Sequence, residues 1–107
     1  MDLAKKRCKP CEGGTKPMNR AEALKNLRFA DGWKLKGSSI CREFKFKDFG
    51  HALQFINSVG RVAEGEGHHP DIYLYSWNRV RLTSSTHAIK GLSINDFILA
   101  AKINRLK

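Results

Sequence analysis

The sequence predicts an α+β domain of the order αββαββα, in which a four-stranded antiparallel sheet has its helices packed on one face. Two observations lead to this prediction. Short segments with alternating apolar and polar residues occur as two pairs, and segments with helical periodicity precede, separate and follow these pairs. Paired strands joined by tight turns are typical of antiparallel hairpins. A chain of 107 residues suits one domain with a modest core.

The first helix and the first hairpin begin the domain. Asn19 and Glu22 have the spacing of a capping box, so a short helix should begin there and continue through Leu27. After a turn, residues 33–36 alternate between apolar side chains and lysines, which predicts the first strand. A Gly-Ser-Ser turn leads into the second strand over residues 40–46.

The central helix is predicted to begin after Asp48, a capping residue, and to end after Glu64 because Gly65 and Gly67 interrupt the pattern. It carries two apolar stripes. The first consists of Phe49, Ala52, Leu53, Ile56 and Ala63, and the second of Phe55, Val59 and Val62. Because one stripe is enough to pack a helix on its own sheet, the second favours contact with another subunit. We interpret His51, on the same helix, as a surface or packing residue.

The second hairpin and the last helix complete the domain. Apolar and polar residues alternate over residues 72–77 and 79–83, and the two runs meet at a turn near Trp77. We interpret Trp77 as a core or hairpin packing residue in preference to one that stacks on a ligand. Ser93 and Asp96 form a second capping box ahead of an apolar helical stripe. Helix capping is therefore the main role that the sequence predicts for Asp96.

Residues 1–17 are predicted to form a flexible basic N-terminal arm, with residues 18–107 as the single domain. The arm holds none of the candidate site residues, so it should be dispensable for catalysis. Cys8 and Cys11 have the spacing of half a zinc knuckle or of a redox motif, but no second pair follows, which favours reduced thiols. Three cysteines in all is an odd number, so we expect an intracellular, cytoplasmic protein.

The net charge of +10 is distributed unevenly along the chain. Residues 1–47 carry 13 lysines and arginines against 5 acidic residues, whereas residues 48–107 carry 7 against 5. The excess thus lies in the first half of the chain, away from the histidines, and we interpret it as a solvated basic surface rather than a nucleic-acid site. No apolar run has the length needed to span a membrane, so a membrane partner is not expected either.

Three histidines flank the second hairpin: His68 and His69 precede it and His87 follows it. Imidazole titrates near neutral pH, so histidines brought to one end of a sheet suggest proton transfer or metal binding. Consecutive residues of an extended chain point to opposite sides, so His68 and His69 should have different roles. Three interpretations are open: an acid–base pocket, which we favour, a metal site that includes Glu64, and histidines with structural roles. Glu64 itself is either a solvated carboxylate or a group that orients an imidazole.

The histidine spacing is part of a longer pattern. It consists of Glu64, His68, His69, Pro70, Trp77, His87 and Asp96, with gaps of three, six, nine and eight residues after Glu64, Pro70, Trp77 and His87. This pattern resembles the signature of the pterin-4a-carbinolamine dehydratases. The segments 44–49, 85–87 and 91–93 agree, and the resemblance covers about residues 21–103.

The resemblance implies a hydro-lyase that removes water from 4a-hydroxytetrahydrobiopterin and gives quinonoid dihydropterin, a step in the recycling of tetrahydrobiopterin. It implies no metal and no organic cofactor. By family position the acid–base residues are His68, His69 and His87, with Glu64 and Asp96 in support. The substrate-binding residues are Gly67, His68, His69, Ser85, Thr86, His87 and Ala88. The family also implies a homo-oligomer, in particular a tetramer.

Two positions depart from the family pattern. Gly67 stands where animal members carry an acidic residue, and Asn95 where they carry arginine, which bears on substrate affinity rather than on the reaction class. Animal members also act as a dimerisation cofactor for a homeodomain transcription factor, and no residue of this sequence supports such a partner. The alternatives to an enzyme are a non-catalytic binding or dimerisation module of the same fold and a small basic nucleic-acid-binding protein.

Overall fold

The fold is a four-stranded antiparallel sheet with helices on one face, in a computed structural model that describes residues 3–9 and 16–106. The helices are α1 (Arg20–Asn26), α2 (Phe49–Glu66) and α3 (Ile94–Ile103). The strands are β1 (Lys34–Lys36), β2 (Ser39–Lys45), β3 (Asp71–Tyr75) and β4 (Arg79–Ser84), in the spatial order β1-β2-β4-β3. Short 3₁₀ helices occupy Leu3–Lys5, Leu27–Phe29 and His87–Ile89. The predicted α+β class is confirmed.

The strand register separates a covered face of the sheet from an open one. Phe44 of β2 lies opposite Val80 of β4, and its ring packs 4.6 Å from that of Phe55 on α2, so this face carries the helices. On the other face Arg81 lies opposite both Glu43 and Tyr73, in a layer of charged and aromatic side chains. No helix within residues 3–9 and 16–106 is long and apolar enough to cross a membrane.

Helix α2 begins as predicted, but its buried residues do not correspond to either of the two predicted apolar stripes. Asp48 caps it by accepting from the His51 backbone N–H at 2.8 Å, and the same carboxylate contacts the His51 ring at the surface. The buried residues are Ala52, Phe55, Val59 and Ala63, which combine members of the two predicted stripes. Phe49 and Leu53 remain 48% and 40% exposed. The apolar surface left over is therefore a short patch near the start of the helix.

Helix α2 also ends later than the sequence predicts. Gly65 is accommodated inside the last turn, and the helix ends at Gly67, which adopts the left-handed conformation with φ of 64°. A left-handed residue is a common helix terminator because it redirects the chain while satisfying the last carbonyls. Glu64 and Glu66 both belong to the final turn as a result.

The second hairpin turns at Ser76 and Trp77, both with positive φ, and Asn78 fastens the turn by donating to the Phe46 carbonyl at 2.9 Å. Trp77 is 60% exposed, so it does not belong to the core of this chain, one of the two packing roles predicted for it. In contrast to the exposed Trp77, almost every residue of helix α3 is buried. Its capping box at Ser93 and Asp96 is present as predicted.

Residues 3–9 pack against the domain, although a flexible arm was expected there. Leu3 is 1% exposed and belongs to the hydrophobic core, and its 3₁₀ helix lies on α3. The Arg7 guanidinium donates to the Gly65 carbonyl at 3.1 Å. The buried leucine and the polar contacts to the end of α2 explain why this segment is docked on the domain. The polar contacts join residues 58 positions apart in the sequence. Cys11 lies outside the described residues.

Candidate active site

A cavity of about 440 Å³ opens at one end of the β3–β4 hairpin, a size typical of small-molecule sites. It is lined by residues 66–71, at the junction of α2 and β3, and by residues 85–88, which follow β4, together with Lys9 and Asn95. Asp71 at the start of β3 pairs with Thr83 near the end of β4. This antiparallel pairing brings the two segments to the same end of the sheet.

Asp96 is the centre of a buried hydrogen-bond network beside the cavity. It is fully buried. Its Oδ1 accepts from the Ser84 hydroxyl at 2.6 Å, and its Oδ2 accepts from the Thr86 hydroxyl at 2.8 Å and the Ser93 N–H at 3.0 Å. The His68 Nε2 lies 2.7 Å from Oδ1. Asp96 therefore caps α3 and also holds the ring of His68.

His68 is nearly buried, with 11% of its side chain exposed. A carboxylate bound to one ring nitrogen fixes both the orientation and the tautomer of an imidazole. Because Asp96 engages Nε2, Nδ1 is the nitrogen that remains for a ligand in the cavity. This arrangement suits a group that exchanges one proton at a defined position.

His69 has a different partner. Its Nε2 lies 2.5 Å from Glu64 Oε1, and both side chains are largely exposed, at 59% and 79%. The contact forms because Glu64 belongs to the last turn of α2 and His69 follows the Gly67 terminator by two residues. The adjacent histidines thus have separate carboxylate partners, one buried and one in solvent.

His87 begins the 3₁₀ helix that follows β4 and is exposed at the cavity. Backbone hydrogen bonds between Thr86 and Gly91 close this loop, and Lys90 ends the short helix in the left-handed conformation. The His87 ring makes no hydrogen bond to any residue of the described parts of the chain. It is therefore available to a ligand without breaking an existing contact.

The family model for pterin 4 alpha carbinolamine dehydratase matches residues 16–106. The chain belongs to this family. A Halorhodospira halophila protein whose name proposes a pterin-4-alpha-carbinolamine dehydratase is 49% identical over 99% of this chain and 98% of its own length. A protein of the same name from Nitrosospira multiformis is 46% identical over 98% and 92%. The crystal structure of a transcriptional coactivator/pterin dehydratase from Brucella melitensis superposes with a TM-score of 0.76 at 36% identity, over 83% of this chain and 96% of that one.

The structure brings together every residue that the dehydratase resemblance assigned to a site. Residues 67–69 and 85–88 line one cavity, Asp96 contacts His68, and Glu64 contacts His69. Sequence reasoning missed Ser84, which is buried on the covered face of β4, the same face as Val80 and Leu82. A serine in an otherwise apolar buried row requires a hydrogen-bond partner, and this was the available signal.

The metal-site interpretation has no support in residues 3–9 and 16–106, where no three histidine, cysteine or acidic side chains are grouped to hold an ion. Cys8 lies near the dehydratase-family site but is half-buried, and its thiol lies 3.6 Å from the Asn95 carbonyl. Burial, reinforced by the nearby Glu66 carboxylate, raises the pKa of the Cys8 thiol to about 12. A thiol with so high a pKa is protonated at neutral pH and is a poor nucleophile.

Proposed function

We propose that this protein is a 4a-hydroxytetrahydropterin dehydratase, a hydro-lyase that converts 4a-hydroxytetrahydrobiopterin to quinonoid dihydropterin during tetrahydrobiopterin recycling. The observation that carries the proposal is the cavity lined by the oriented His68, by His69 and by His87, whose ring has no hydrogen-bond partner among the described residues. Family membership supports the same reaction class. The odd number of cysteines favours a reducing, cytoplasmic setting.

The reaction requires one proton to be given and one to be taken. Protonation of the 4a-hydroxyl lets it leave as water when the C4a–O bond breaks. Loss of the N5 proton leaves the electron pair that forms the C4a=N5 double bond, so the overall change is loss of one water molecule. Histidine serves both tasks near neutral pH. In our proposal His68 and His87 act as general acids at the hydroxyl, and His69 binds the ring and accepts the N5 proton.

Asp96 and Glu64 support these histidines in unequal ways. Asp96 is buried and holds His68 through a bond that solvent does not compete for, so it should fix the ring tightly. Glu64 is 79% exposed, and its bond to His69 is open to water, so it should orient that ring only weakly. The pterin itself would lie against the backbone of residues 67–69 and 85–88.

The dehydratase assay tests this proposal directly. Purified protein should accelerate the disappearance of 4a-hydroxytetrahydropterin severalfold or more over the spontaneous reaction. A His51→Ala variant should be equally active, because the His51 ring is bonded to Asp48 on the surface of α2 and His51 lies outside the histidine-lined cavity. Pterin binding without turnover would instead favour a non-catalytic binding module, a possibility raised by the coactivator role in the name of the Brucella melitensis relative.

We further propose a homo-oligomer, a tetramer in particular. The supporting observation is the exposed apolar patch of Phe49 and Leu53 on α2, which the monomer leaves in water. Light scattering should give about four times the 12.1 kDa chain mass, and a Phe49→Lys, Leu53→Lys double variant should give a smaller species. Leu24→Lys is the matched control, since Leu24 is 47% exposed but lies on α1. A monomeric wild type at micromolar concentration would contradict the proposal.

A further inference from the structure

The N-terminal segment supplies one wall of the candidate active site. Lys9 lines the cavity, and its backbone N–H donates to Asn95 Oδ1 at 3.0 Å while Asn95 Nδ2 donates back to the Lys9 carbonyl. The Cys8 N–H donates to Glu66 Oε1 at 2.8 Å. These contacts seat the segment on α3 and on the end of α2, beside the histidines.

Asn95 is well placed to hold this segment because its own position is fixed. It is 4% exposed, and its backbone N–H donates to Ser93 Oγ within the capping box of α3. The next residue along the chain is Asp96, which holds His68. One helical turn therefore positions both His68 and Lys9.

Lys9 is the only lysine or arginine that lines this cavity among the described residues. Glu66 also lines the cavity, but its carboxylate already forms an ion pair with the Lys102 ammonium at 3.3 Å. Burial would raise the pKa of Glu66, but the Cys8 N–H and the Lys102 ammonium outweigh it and lower the pKa. No carboxylate of residues 3–9 and 16–106 lies within 4.0 Å of the Lys9 ammonium. Among the described residues the Lys9 ammonium thus has no carboxylate partner, although Glu66 and Asp71 also line the cavity.

We propose that Lys9 is a substrate-binding residue, positioned by Asn95, which favours pterins whose C6 substituent carries negative charge. Lys9 is exposed whereas His68 is nearly buried, so Lys9 belongs to the solvent side of the cavity. In this proposal a ring bound at the histidines would direct its substituent toward that side, where an ammonium offers three donors and a positive charge. The inference rests on the proposed dehydratase function and assigns the N-terminal segment a role that the sequence analysis did not expect.

The test compares two pterins of similar size, the anionic pterin-6-carboxylate and the neutral 6-hydroxymethylpterin, by the quenching of their fluorescence on binding. The wild-type protein should bind the carboxylate about tenfold more tightly than the alcohol, as expected for one charge-assisted contact. Lys9→Ala should abolish this preference, and Lys9→Arg should retain most of it. Lys6→Ala is the matched control, because it removes the same charge from the same segment but Lys6 does not line the cavity.

Kinetics separate positioning by Asn95 from a structural role. Asn95→Ala should raise KM for the dehydration substrate severalfold with kcat within about twofold, and it should lower the carboxylate preference as Lys9→Ala does. The Lys9→Ala, Asn95→Ala double variant should lose no more preference than either single variant, because both act through one contact. Equal carboxylate preference in wild type and Lys9→Ala would overturn this inference and leave the dehydratase proposal intact. Failure of both pterins to bind the wild type would also overturn this inference, and the dehydratase assay tests the dehydratase proposal separately.

Discussion

Replacing His87 with alanine should slow the dehydration of one 4a-hydroxy epimer about a hundred- to ten-thousand-fold and leave the other much less affected. A pterin ring is flat, and its 4a-hydroxyl can lie on either face. One general acid cannot reach both faces, so an enzyme that accepts both epimers needs an acid on each side. His68 and His87 approach the cavity from the two segments that flank the hairpin, which suits them to opposite faces.

His68→Ala should show the reverse epimer preference, and the double variant should lose turnover of both epimers. His69→Ala is the informative contrast, because it should raise KM as well as lower kcat for both epimers alike. Stopped-flow kinetics with each resolved epimer measure these rates. Equal losses for both epimers in each single variant would contradict the two-acid assignment, although the pterin pocket would survive.

Asp96→Asn should lower kcat about a hundredfold and also lower the thermal unfolding midpoint. All four contacts to this carboxylate come from groups that donate or can donate: His68 Nε2, the Ser84 and Thr86 hydroxyls, and the Ser93 N–H. An amide of the same shape keeps one oxygen but sets an NH₂ group against donors. A buried donor left unpaired costs about 1–3 kcal/mol. The ring of His68 would lose its fixed orientation at the same time.

Glu64→Gln is the matched control for this experiment. It removes the carboxylate from the other histidine–carboxylate contact, but that contact lies in solvent, with 79% of the Glu64 side chain exposed. We expect less than a threefold change in kcat and an unchanged unfolding midpoint, since exposed pairs contribute little. Circular dichroism melting and steady-state kinetics on the two variants make the comparison. Similar losses in both variants would show that burial of Asp96 does not matter to its function.

The fold was largely predictable because its signals are local. Alternation fixed the faces of the strands, and the capping boxes at Asn19 and Ser93 marked two helix starts within a residue. The end of α2 was missed because Gly65 costs the helix little, whereas Gly67 alone adopts the left-handed conformation that stops it. Sequence spacing does not distinguish two such glycines.

The residues that form the site were predictable from the sequence, but the contacts between them were not. The pairing of Asp96 with His68 spans 28 residues and depends on how α3 packs against the sheet, which the capping box does not indicate. The Lys9–Asn95 contact spans 86 residues, and no periodicity or spacing connects them. Residue types and their spacing identified the segments that form the site. Which atoms of these segments are in contact depends on tertiary packing.

The first turn of α3 also links two walls of the cavity. Local opening events release helix ends far more often than whole domains unfold. Here such an opening would separate Asp96 from Ser93 and would free His68 in the same motion, while Asn95 would release Lys9. Two walls of the cavity would therefore disassemble together as one cooperative unit. Two walls of the cavity thus depend on the stability of a single helical turn.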